Sequence, residues 1–294
     1  MVHYPFFQDA APVAKTADSD GDALNEHEQE QAERSEALPA HVVHEVVRGE
    51  GEHELDRTVT ALLWSGLSAG LSMGFSFLAE AELQAALPDA PWRHLVAAFG
   101  YTVGFVIVVL GRQQLFTEST ITAVLPVLTH RDLPTLGKLV RLWGLVLATN
   151  IIGTWVFAAL LAFGKPFHPE VAQALSDLAA QTTAQSFVKT ATMGMLSGWL
   201  IALMVWLLPS AGSARFWVVI FITYVVAFSG LPHIIAGSGE AAYAVLTGAS
   251  TPTRYLLSFF APTLLGNSLG GVILAALVNH APVADRVRQD GGND

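Results

Sequence analysis

The chain contains no cysteine. That excludes a disulfide framework, a thiolate metal site and a cysteine nucleophile. Charge is scarce: 14% of residues are Asp, Glu, Lys or Arg, where a soluble domain carries about 25%. The N-terminus lacks a basic-then-apolar leader, so no cleaved signal is expected. HExxH does not occur, and no span carries a clustered acid pair, which removes the usual grounds for a metal-dependent or acid-base membrane enzyme. HVVHE at His41 to Glu45 has neither zinc-motif order and reads as a solvated helix face. Nothing calls for a metal or cofactor. A basic face for nucleic acid is also missing.

What is abundant is apolar sequence. Hydrophobic residues make up 52% of the chain, mean hydropathy is +0.46, and several runs reach the roughly 20 residues that cross a bilayer. The expected fold is an all-α polytopic membrane protein embedded in lipid. The net charge of −10 belongs to one end. Up to Asp56 there are 14 acidic and three basic residues, which leaves 11 acidic and 12 basic beyond it. Three regions follow: an acidic tail over residues 1–56, a six-span domain over 57–281 and a short polar tail over 282–294. The tail is expected to be mobile up to Leu38. From Ala40, Val42, Val43, Val46 and Val47 mark one helix face, against the membrane surface or the bundle.

Six spans are predicted, from about Thr58 to Ala79, His94 to Leu128, Lys138 to Phe163, Phe187 to Leu208, Phe216 to Leu246, and Tyr255 to Asn279. Gly66, Gly70 and Gly74 sit at four-residue spacing in the first, which lets helices approach closely. The loops carrying Arg131, Lys138, Arg141 and Arg215 share a side with Arg57, Arg286 and Arg288. Arg93, Lys165, Lys189 and Arg254 fall opposite. Seven against four predicts both termini in the cytoplasm.

The second and fifth spans are broken. RQQLFTES, Arg112 to Ser119, is too polar for a lipid-facing helix, and Arg112 and Glu118 are expected to pair as intramembrane charges do. In the fifth, Ser229-Gly230 and Pro232 interrupt the helix. Such a break is tolerated only where it lines a cavity or packs in protein. Pro232 suits the first position of a restarted helix, which would put His233 in its first turn. The alternative is a kinked packing helix with a core histidine. Glu240 is the other ionisable group of that stretch, and intramembrane ionisable groups are functional candidates.

The two breaks are related. TNIIGTWVFAALLA begins at Thr149 and GNSLGGVILAALVN at Gly266. Asn150 matches Asn267, Gly153 matches Gly270, and the offset is 117 residues. Applied to Thr117 it falls on Ile234, beside His233. With three spans per half, the second half enters the membrane the other way up. Inverted repeats with paired discontinuous helices place a transport site near the midplane. Helix packing alone is the plainer reading of the Asn and Gly pairs.

LFTES at Leu115, SGLPHIIAG at Ser229, TNIIGT at Thr149 and GNSLGG at Gly266 resemble the formate/nitrite transporter (FNT) family over roughly Thr58 to His280. ALLWSGLSAGLSMG, GRQQLFTES and SGWLIALMVW look closer to its YfdC-like branch. The resemblance implies a homopentamer of aquaporin-shaped protomers in the cell inner (plasma) membrane, each passing small monovalent anions such as formate, nitrite or hydrosulfide. It implies that His233 is the central pore histidine and Thr117 its polar partner. Leu115, Phe105 and Tyr101 would build apolar constrictions, with Val226 at a looser one. The chain departs from the family at Gly198, Thr182, Gly237 and Arg112. Physically, a pore histidine can donate a hydrogen bond to a desolvated anion or hand it a proton, and half-helix N-termini present N–H groups to it. Two other readings stand: an aquaporin-like neutral-solute channel, and a sensor or assembly protein with a vestigial pore.

Overall fold

The computed structural model describes residues 38–164 and 167–290, with side chains up to residue 278. The acidic stretch before Leu38, Lys165 and the side chains of Arg286 and Arg288 lie outside the described residues. The described residues are helical throughout, without strands.

Helix α1 (Ala40–Leu55) precedes the spans. The first repeat comprises α2 (Val59–Ala86), α3 (Arg93–Leu110), the short pieces α4 (Ser119–Thr122) and α5 (Val124–His130), and α6 (Leu133–Gly164). Helix α7 (Pro169–Thr182) links the halves. The second repeat comprises α8 (Phe187–Leu207), α9 (Arg215–Phe228), α10 (Ala236–Leu246), α11 (Pro252–Arg254), a π-helical turn (Tyr255–Phe260) and α12 (Ala261–Asp290). Five helical stretches are long and apolar enough to cross a membrane. One of them, Phe187–Phe228, is two spans: it reverses through a 3-10 turn where Gly212 takes φ 48°. The five stretches thus make six crossings, of which α3 is continued beyond its break by α4–α5 and α9 by α10. The helix of the sixth runs on to Asp290, past the boundary at residue 281 that hydropathy marks.

Local chemistry sets several of these limits. Thr58 caps α2 by accepting from the Ala61 N–H at 3.3 Å, and Pro169 opens α7, where its missing N–H costs nothing. The glycine stripe of α2 faces α6. A Cβ at Gly66 would meet Thr149, one at Gly70 the Asn150 backbone and one at Gly74 the Phe157 ring. In the other half, a Cβ at Gly198 would overlap the Asn267 backbone. So Gly198 is a packing glycine between α8 and α12. It is Thr190 and Met193 of α8 that face the cavity beside His233.

The repeats run in opposite directions and exchange their half-helices. Arg57, just before α2, lines the same cavity as Val205 and Leu208 at the end of α8, while Thr190 near the start of α8 lines a cavity at the other end of the bundle. α2 packs along α6 as α8 packs along α12. The half-helix α10 packs on α6, the third span of the other repeat, and α4–α5 pack on α12. Each break is thereby walled by both repeats, the protein surroundings that interrupted helices require.

Helix α1 lies against the bundle. Val43, His44, Val47, Gly51 and Leu55 are buried, and a Cβ at Gly51 would overlap the Thr122 carbonyl. His44 therefore departs from the solvated-face reading of HVVHE: its ring packs edge-on against Trp206 at 6.5 Å between centroids.

Candidate functional site

Both breaks begin with one residue in the left-handed region, Arg112 at φ 50° and Gly230 at φ 60°. Glycine takes that conformation freely, and an arginine takes it at a cost of about 1 kcal/mol or more. Arg112 does not pair with Glu118. Its guanidinium reaches Glu50 of α1 at 3.2 Å, and its side chain is 75% exposed. Glu118 keeps one buried carboxyl oxygen without a hydrogen-bond partner. The left-handed turn explains the difference: it swings residue 112 out to the mouth while Glu118 turns inward.

The backbone that each break frees is taken up by one asparagine. Asn150 Oδ1 accepts from the Phe116 N–H at 2.9 Å, while its Nδ2 donates to the carbonyls of Gly66 at 2.8 Å and Gln114 at 3.0 Å. Asn267 Oδ1 accepts from the Ile234 N–H at 2.8 Å, while its Nδ2 donates to Gly194 O at 2.8 Å and Pro232 O at 3.1 Å. Both side chains are fully buried. Packing is only part of their work: each ties the non-helical strand of its own repeat to the neighbouring span.

These ties bring Thr117 and His233 together. Thr117 Oγ1 and His233 Nε2 lie 2.7 Å apart, both buried, one from each break. His233 is not in the first turn of the second half-helix, and Pro232 does not open it. The helix begins at Ala236, and His233 sits in the non-helical segment before it, where its Nδ1 accepts from the Ala236 N–H at 3.2 Å. The cap bond assigns the tautomer: Nδ1 is occupied as an acceptor, so the neutral ring carries its proton on Nε2 and donates toward Thr117. The Thr117 hydroxyl proton is then free to point elsewhere.

The constriction residues surround this pair. The Phe105 ring meets His233 edge-on at 4.9 Å between centroids, and Tyr101 lies 5.4 Å from Phe105. Phe105, Leu115 and Val226 are essentially inaccessible. Two cavities approach from opposite ends. One, of about 630 Å³, reaches His233 and is lined by Tyr101, Val226 and Glu240. The other, of about 710 Å³, is lined by Glu54, Arg112, Gln114 and Glu118. Along α3, Tyr101 borders the first and Val109 the second, about 12 Å of helix rise apart. Phe105 fills the interval. The arrangement is two funnels lined partly by polar groups and separated by an apolar plug that carries the Thr117–His233 seam.

Three polar residues of these funnels carry no mark in the sequence analysis. Glu54, on α1, accepts from Thr122 Oγ1 at 2.6 Å, and its burial there raises its carboxyl above the ordinary range. Glu80 and Thr190 line the His233 cavity. The available signal for Glu80 is a carboxylate three residues after Phe77 on the buried face of α2. Thr182 donates to Glu240 at 2.5 Å. Among the described residues no group of three or more His, Asp or Glu is placed to hold a metal ion.

The chain is similar in sequence and in fold to known membrane proteins. The sequence profile of the formate/nitrite transporter family matches residues 41–281. The chain is 39% identical over 293 residues to inner membrane protein YfdC of Escherichia coli, covering 93% of this chain and 92% of that protein. It is 26% identical over 238 residues to the formate channel FocA of Haemophilus influenzae, covering 71% and 82%. The structure superposes on a pentameric formate channel with formate bound at a TM-score of 0.65, with 19% identity, covering 74% of this chain and 95% of that one.

Proposed function

Because the chain belongs to the formate/nitrite transporter family, whose members are transporters and not enzymes, we propose that it passes small monovalent anions of weak acids across the inner membrane. Formate, nitrite and hydrosulfide are the candidate permeants. The observation that carries this reading is the meeting of Thr117 and His233 at 2.7 Å inside the apolar plug. A neutral-solute channel needs no imidazole there. The functional protein is a multi-pass homopentamer with α1 and both termini on the cytoplasmic side.

Moving a bare anion through Phe105 and Leu115 costs several kcal/mol of desolvation. The seam lowers that cost by hydrogen bonds aimed from both repeats. His233 Nε2–H and the Thr117 hydroxyl, in contact at 2.7 Å, are donors contributed one by each repeat, and both can turn to the permeant. Between the two roles open to the imidazole, the geometry favours the hydrogen-bond donor. Protonating Nδ1 would forfeit the bond from Ala236 N–H, and without an imidazolium the ring has no proton to give away. A proton that travels with the permeant must be loaded elsewhere.

The test is a proteoliposome screen of formate, nitrite, hydrosulfide, acetate, chloride and glycerol with an internal pH readout. Weak-acid uptake with acidification, and exclusion of glycerol, supports the reading. Glycerol flux without weak-acid flux overturns it.

A further inference from the structure

The cavity remote from α1 is acidic at its depth. Glu80 of α2 is 7% exposed, and Glu240 of α10 lines the same space. Tyr101 borders the cavity as well. The other ionisable groups lining this cavity are Asp89, Arg93, His94 and His233. Arg93 is spent at the rim, on the Gln84 carbonyl and on Asp89 at 3.7 Å. His94 bonds the Phe228 carbonyl at 3.1 Å. Among the described residues no cation therefore stands deep in the funnel to draw an anion toward His233. The buried Thr190 hydroxyl, 3% exposed, faces this cavity without a hydrogen-bond partner among the described residues. It is a polar group aimed at something that is not protein.

We infer that Glu80, Glu240 and Thr190 form a proton-loading site that admits the permeant as a neutral acid. The inference rests on the weak-acid reading above. An ionised pair repels an arriving anion. A protonated carboxyl instead donates a hydrogen bond to it and can transfer the proton. The O–H bond of the glutamic acid breaks as an O–H bond forms on the permeant, leaving glutamate and the neutral acid, and the glutamate regains its proton from the outer solution. Thr182 Oγ1, donating to Glu240 at 2.5 Å, holds that carboxyl in place during the exchange. The neutral acid then meets the Thr117–His233 seam without the full desolvation cost of an ion. This assigns the proton a source that leaves the Ala236–His233 cap intact.

The experiment compares wild type, Glu80→Gln, Glu240→Gln and the double variant in proteoliposomes of the full chain. Formate uptake is measured from about pH 5 to about pH 8, a range in which the neutral-acid fraction falls about tenfold per unit. Expected is wild-type uptake that rises toward acid less steeply than the free acid, because the carboxyls supply protons where the free acid is scarce. In the double variant it falls at least about tenfold and follows the free-acid concentration alone, because Gln donates a hydrogen bond but carries no transferable proton. Infrared difference spectra of the same proteins should show a protonated-carboxyl band that titrates with pH, missing in Glu240→Gln. If wild type conducts and the double variant keeps both its rate and its slope, this inference fails and the weak-acid reading stands. If wild type moves no weak acid, both fall. If the double variant does not assemble, the single variants and the band decide: an unchanged band in both overturns the assignment.

Discussion

Asn150 and Asn267 make the same three kinds of bond at the two ends of a pseudosymmetric molecule. Each accepts one N–H from a broken strand, returns a donor to that strand, and donates to the carbonyl of a neighbouring span. The repeat that places Thr117 opposite His233 is therefore enforced by hydrogen bonding as well as by helix packing.

Replacing either asparagine with alanine strands buried backbone groups, at about 1–3 kcal/mol for each. Asn150→Ala and Asn267→Ala should each lower the thermal stability of the detergent-solubilised oligomer by several degrees or prevent its assembly. Asp should not rescue either site, since a carboxylate cannot donate to Gly66, Gln114, Gly194 or Pro232. Thermal unfolding followed by size-exclusion chromatography checks this. A wild-type melting curve for Asn267→Asp would show that the donor bonds are dispensable.

His233→Asn retains a side-chain donor and should keep pH-dependent uptake at a reduced rate. His233→Ala removes the donor. A hydrogen bond to a charged group contributes about 1.5–3 kcal/mol, so its loss should slow permeation by about 10- to 100-fold. Initial rates in proteoliposomes distinguish the two. Loss of the pH slope in the Asn variant would return the proton to the imidazole.

Arg112 is exposed and strained by its positive φ. Arg112→Gly should relieve about 1 kcal/mol of backbone cost while losing an exposed ion pair worth about 0–1 kcal/mol. The expected change in stability is near zero or slightly positive, measured by thermal unfolding. A marked loss of stability would mean that the Glu50 contact anchors α1 more firmly than its exposure implies.

Glu54 links the docking of α1 to pH. Burial against Thr122 raises its carboxyl in the docked state. A raised value means that docking is strongest below the ordinary carboxylate range, near 4, and weakens as pH rises through the raised value. Hydrogen exchange of the amides of residues 40–55, corrected for intrinsic rates, should therefore show protection falling as pH rises. Glu54→Gln should hold protection constant. An equally pH-sensitive Gln variant would assign the effect to another group.

The sequence by itself determined the chain's class and its symmetry. Apolar runs of bilayer length, two runs interrupted by residues that lipid cannot accommodate, and an offset that carries Asn150 onto Asn267 are properties of order along the chain. From them follow six spans, an inverted repeat, and the placing of Thr117 beside His233. Tertiary structure decided what each side chain touches. Arg112 and Glu118 are six positions apart and pair on paper, but the left-handed turn at Arg112 sends one to the mouth and the other inward. Pro232 read as a helix start, yet its neighbours stay out of the helix, with Asn267 taking up their backbone groups from another span. Glu80 lies one position beyond the predicted end of the first span, and it lines the same cavity as Glu240 of the other repeat. Spacing along one chain reports neighbours on one helix. It is silent about a cavity walled by six helices, and that cavity sets which charges meet and which hydroxyls are left without a partner.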